Sequence, residues 1–153
     1  MDSNDVIDEL NTLIETCKDG EYGFLSCAEH VRSASLREVF AQRAAGCREA
    51  AGELQQLVRQ QGGKPEDEGS TSGAMHRGWV AVKGTLTGYS DLAMLEECER
   101  GEDAAVARYR KASQKALPAG VMEVVQRQMA GVLRNHDQIR LLRDQARNAA
   151  DKT

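Results

Sequence analysis

Glu99 and Glu102 are the residues whose type and position promise chemistry. They fall on the predicted core stripe Leu92, Leu95, Glu99, Glu102, Val106 and Tyr109, spaced alternately by three and four. That spacing marks one face of a helix, and its other members are apolar or aromatic. A buried carboxylate is costly unless it is paired, protonated or bound to a metal. Two outcomes are therefore open. With His136, and with Glu21 from another helix, the two carboxylates could ligate iron, manganese or zinc, ions that accept oxygen and imidazole donors. Alternatively Arg43, on the core stripe of its own helix between Phe40 and Cys47, could satisfy Glu99, Glu102 or Glu21 through its fork of donors, with His136 completing the hydrogen bonds.

Other chemistries find less support. The four cysteines, Cys17, Cys27, Cys47 and Cys98, have no CxxC spacing, so neither a zinc knuckle nor a thioredoxin motif is present. All sit in helical patterns among apolar neighbours, where a thiol serves as a small hydrophobe. A redox disulfide between Cys17 and Cys47 is the minor alternative. His30 and His76 lie near element ends, and Trp79 is expected to pack a short helix onto the rest. The sequence offers no nucleophile arrangement, phosphate loop or cofactor box, and no substrate can be read from it. If the protein is an enzyme, a metal-dependent oxidoreductase is the expected class.

The elements that position these residues are helical. The chain has 153 residues, few aromatics and two prolines, and it is rich in strong helix formers. It is expected to form one domain, with helices over about residues 3–31, 35–61, 74–86, 90–117 and 118–147. Ser3 or Asn4 is the expected cap of the first, Ser90 of the fourth, and Gly62-Gly63-Lys64-Pro65 stops the second. The net charge of −4, with both signs interspersed, lacks the basic stripe of a nucleic-acid binder. No apolar run approaches the ~18–20 residues that span a bilayer, and the acidic start has no signal-peptide character, so a cytoplasmic location is expected.

Loop lengths then set the topology. Two long helices joined by a short turn must be antiparallel neighbours, and a long crossover carrying the short extra helix leads to a second such pair. With turns near residues 33 and 117, numbers at one level sum to about 66 in the first pair and about 235 in the second. Glu99 is then opposite His136, Glu21 near Arg43, and Cys17 near Cys47 or Glu49. The segments Lys18-Asp19-Gly20 with Gly23-Phe24, His76-Arg77-Gly78-Trp79 and Cys98-Glu99-Arg100-Gly101-Glu102-Asp103 resemble a bacterial, ferritin-like four-helix-bundle family of unknown function. The resemblance covers almost the whole chain and implies an all-α ferritin-like fold and a bacterial source. Di-iron members of the wider superfamily carry a Glu on each of two helices and a Glu-x-x-His on each of the other two. This chain has no Glu-x-x-His anywhere: Glu49 is followed three on by Gly52, Glu53 by Gln56, and Leu133 precedes His136.

The leading expectation is a structural or stress-related protein with an ion-paired polar cluster in place of the standard di-iron site. The alternative is a metal-binding oxidoreductase or metal-storage protein with a non-standard Glu/His site. A third expectation is a module that self-associates into a homo-oligomer through its helix faces.

Overall fold

The computed structural model describes residues 1–69 and 90–151. Four helices make up this part: α1 (Ser3–His30), α2 (Ala34–Gln60), α3 (Asp91–Ser113) and α4 (Ala119–Asp151). The expected short helix over 74–86, with His76 and Trp79, lies outside the described residues.

Three of the four helix starts have a side-chain cap. Asp2, one residue ahead of the expected cap, accepts from the Asp5 amide at 2.9 Å. Ser33 caps α2 through the Leu36 amide and Ser90 caps α3 through the Ala93 amide. In each case a side-chain oxygen takes an amide that the first turn leaves without a partner. The end of α2 needs a left-handed residue, and Gly62 supplies it with φ +85°, so that the Gly63 amide folds back onto the Val58 carbonyl at 3.0 Å. The third helix stops at Ser113, earlier than its pattern implies, and the chain turns through Gln114–Pro118 into α4.

Every neighbouring pair of helices runs antiparallel. The turn between α1 and α2 is tied to the start of α3 by the Arg32 and Ser33 amides, which both donate to the Asp91 carboxylate at 2.8 and 3.1 Å. At the other end, Asn11 of α1 donates to the Lys64 carbonyl and accepts from the Glu66 amide, pinning the start of the crossover.

The core divides in two. One cluster, with Leu10, Leu13, Ile14, Leu54 and Val125, fills the end near the N-terminus. The other, with Phe24, Phe40, Met94, Leu95 and Ile139, fills the opposite end, where Phe24 and Phe40 stack at 6.2 Å between centroids. Burying each such side chain stabilises by about 1.5–3 kcal/mol. Between the clusters lies a belt containing Gly20, Cys47, Glu102 and Arg43, and this belt is where the site residues fall.

Candidate functional site

The third helix is rotated relative to the expected stripe. Its buried face runs through Met94, Leu95, Glu97, Cys98, Glu102, Tyr109 and Ala112. Glu102 is inward, as expected, but Glu99 is only half-buried and faces α4. Glu97 is the second buried carboxylate, bonded at 2.8 Å by Arg100 one turn on. The cause is the α1–α3 contact: Cys98 and Tyr109 meet α1 at Cys27 and Cys17, which turns Glu99 toward the other side.

The expected constellation therefore separates into two groups. Outside, in the groove between α3 and α4, Glu99 is bonded by Arg143, and His136 Nε2 lies 2.5 Å from the Asp103 carboxylate. One ligand atom each from Glu99, Asp103 and His136 lies within 4.8 Å of the others. Glu99 and His136 were expected at one level, whereas Asp103 and Arg143 were not among the expected site residues. The signal for Asp103 was its i+4 spacing from Glu99, which puts both carboxylates on one face.

Inside the bundle, Cys47 sits among Cys17, Glu102, Glu21 and Arg43, each near enough to act on its thiol electrostatically. Glu21 is half-buried and pairs with Lys18 at 3.6 Å. Arg43 makes none of the ion pairs among the described residues, and its buried Nε has no hydrogen-bond partner. Burial raises Glu102 to about 8, against the lowering by Arg43 and with further raising by Asp103 and Glu99. Near neutral pH this carboxyl is therefore largely protonated. Its Oε2 is also buried without a partner.

All four cysteines line one cavity of about 310 Å³ together with Glu102 and Tyr109. Space exists because Gly23 on α1 faces small residues on α3, Gly101, Ala104 and Ala105, across the gap. At Gly20 the glycine is required, because a Cβ would stand 2.8 Å from the Cys47 sulfur. Cys98 donates to Cys27 at 3.4 Å. Burial pushes the Cys17 thiol up to about 11 and raises Cys47 further, while the bond to Cys27 and burial raise Cys98. These thiols are held protonated, unlike the activated thiolates of redox catalysts. Sequence spacing gave no sign that the four would share a cavity, since they come from three helices.

Below the cavity a hydrogen-bonded relay joins all four helices. Tyr109 donates to Gln128 Oε1 at 2.8 Å, which leaves the Cys17 thiol to donate to the Tyr109 oxygen at 3.2 Å. Gln128 then donates to Glu53 at 2.8 Å and to the Ala50 carbonyl at 3.3 Å. Arg127 completes the relay by bonding Glu53.

A ferritin-type di-iron centre does not fit the interior belt. Such a centre takes four carboxylates and two histidines. The belt offers protonated Glu102, Glu21 engaged by Lys18, two neutral thiols and a fixed cation, Arg43, that repels metal ions. His136 is outside, against Asp103, and His30 bonds the Ser26 carbonyl near the end of α1.

The fold itself has clear relatives. The chain is similar to a dodecameric thioferritin, the bacterioferritin-related protein of Bacteroides fragilis, with TM-score 0.76 and 15% identity over 99% of this chain and 92% of that one. It is also similar to a point mutant of Mycobacterium smegmatis Dps1, with TM-score 0.72 and 14% identity over 91% and 95% of the two chains. At such identities the likeness establishes a ferritin-like, all-α fold and nothing finer. No curated protein matches the sequence. Residues 5–115, from the first turn of α1 to just beyond the end of α3, match a family described as a domain of unknown function, DUF2383, and the chain belongs to that family.

Proposed function

We propose that this protein is a non-catalytic ferritin-like bundle whose central cavity is lined by four thiols and a protonated acid, in place of a di-iron site. The observation that carries this reading is the donor set of the interior belt: Arg43 and Cys47 stand beside Glu102, and no histidine is among them. Anaerobic loading with iron(II), followed by oxygen exposure, tests it. The expected result is no iron in the interior and no oxygen consumption above buffer. Binding of about two irons per chain with rapid iron oxidation would overturn the reading.

A second reading rests on the α3–α4 groove. Glu99, Asp103 and His136 offer two carboxylates and an imidazole, a set suited to one iron, manganese or zinc ion. The Arg143–Glu99 and His136–Asp103 contacts satisfy the same groups without metal, and a cation has to displace both. About one divalent ion per chain, lost in His136→Ala and Asp103→Ala, supports this reading, whereas retention in both variants refutes it. Assembly into a homo-oligomer is supported by the dodecameric state of the similar thioferritin.

A further inference from the structure

We propose that Cys27 and Cys98 form a two-coordinate site for a soft monovalent metal ion, with copper(I) as its representative. The inference rests on the reading that the bundle centre is not a di-iron site, and it names the ligand class the cavity takes instead.

Two observations carry it. First, two buried thiols from different helices touch, with sulfurs 3.4 Å apart, and border a cavity of about 310 Å³ that gives them room to part around an ion. Second, no third metal-binding group among the described residues closes on this pair; the one such convergence is Glu99, Asp103 and His136. Zinc in protein sites takes four ligands, or three and a water. A pair of sulfurs alone suits a soft ion that accepts few ligands, and thiolates select copper(I).

The binding step balances simply. The two thiols lose their protons to solvent, two metal–sulfur bonds form, and no electron moves, because the metal enters already in its monovalent state. Binding displaces both thiol protons, so only an ion with a strong preference for sulfur competes.

The test is an anaerobic titration of the purified protein with copper(I) against a chromophoric copper(I) chelator, with zinc(II) run in parallel. We expect one copper(I) per chain, no zinc at the same site, and a loss of about a hundredfold in affinity for Cys27→Ala/Cys98→Ala. Cys17→Ser, which keeps a donor for Tyr109, is expected to bind within about threefold of the parent. Because the double variant can fail by misfolding, the parent protein supplies a second readout. Copper(I) is expected to protect Cys27 and Cys98 from alkylation, mapped by mass spectrometry, more than Cys17 and Cys47. Absence of copper(I) binding, undiminished binding in a folded double variant, equal zinc binding, or protection of Cys17 and Cys47 instead would each overturn the proposal. The iron titration is independent: failure of copper(I) with the interior still free of iron removes this inference alone.

Discussion

Glu102 is held in its neutral form by burial that a nearby guanidinium fails to offset, and this has a consequence for stability. An ordinary Glu loses its proton near pH 4.5, whereas Glu102 holds its own to about 8. Between those values the native state binds a proton that the unfolded chain has released, so stability falls as pH rises across this window and levels off above it. The full span corresponds to about 5 kcal/mol. Glu102→Gln keeps the shape and the hydrogen-bonding capacity of the neutral acid and cannot ionise. Urea denaturation between pH 5 and 9 is therefore expected to show a flatter profile for Glu102→Gln, with the variant more stable than the parent by several kcal/mol at the alkaline end. Parallel profiles for the two proteins would show that Glu102 ionises normally. The same neutral state explains why Arg43 makes no ion pair with it: a protonated carboxyl offers little to a guanidinium.

At the scale of helices, α1 carries a contrast between two glycines on its cavity side. A Cβ at Gly20 would overlap the Cys47 sulfur, while one at Gly23 meets nothing within 4 Å. Gly20→Ala is expected to destabilise by about 1–3 kcal/mol, since the thiol has to leave its niche. Gly23→Ala is expected to be neutral or stabilising by up to about 1 kcal/mol, the ordinary gain in a helix interior. Denaturant titration of both variants checks this, and equal effects would mean that Cys47 does not occupy the niche. The pairing of α1 with α2 was legible in the sequence, because a three-residue turn leaves little freedom: Gly20 meets Cys47 close to the expected level. The pairing of α3 with α4 was legible in direction but displaced by one to two turns, so that Glu99 meets Arg143 and His136 meets Asp103. Side chains on a helix lean toward its N-terminus. On α3 they reach away from the turn and on α4 toward it, which moves the contacting residue of α4 further from the turn than Cα levels imply. The rotation of α3 was illegible for another reason. Its apolar pattern is too sparse to decide between Glu97 and Glu99, and small residues in α1 decided it.

Over the whole molecule, the two hydrophobic clusters are joined across the polar belt, and the relay from Cys17 through Tyr109 and Gln128 to Glu53 links all four helices there. Gln128 is a buried polar residue beside Val121 and Val125 on the inner face of α4; its function as the junction depends on partners from three other helices, which no local pattern announces. Tyr109 is 1% exposed and Gln128 is 8% exposed, so losing one partner strands the other away from water. Tyr109→Phe leaves both the Cys17 thiol and the Gln128 oxygen without their partner, and an unsatisfied buried polar group costs about 1–3 kcal/mol. Gln128→Leu takes the acceptor from the Tyr109 hydroxyl in the same way, while Glu53 keeps its bond to Arg127. In the double variant Tyr109→Phe/Gln128→Leu the Tyr109–Gln128 bond is absent from both sides, so its cost is expected to fall short of the sum of the single costs by about 0.5–3 kcal/mol. Strict additivity in denaturant titrations would mean that the two residues act separately and that the relay does not couple the helix pairs. A coupling of the expected sign would place the bond that unites the bundle at this buried junction, beside a cavity that packing alone leaves unfilled.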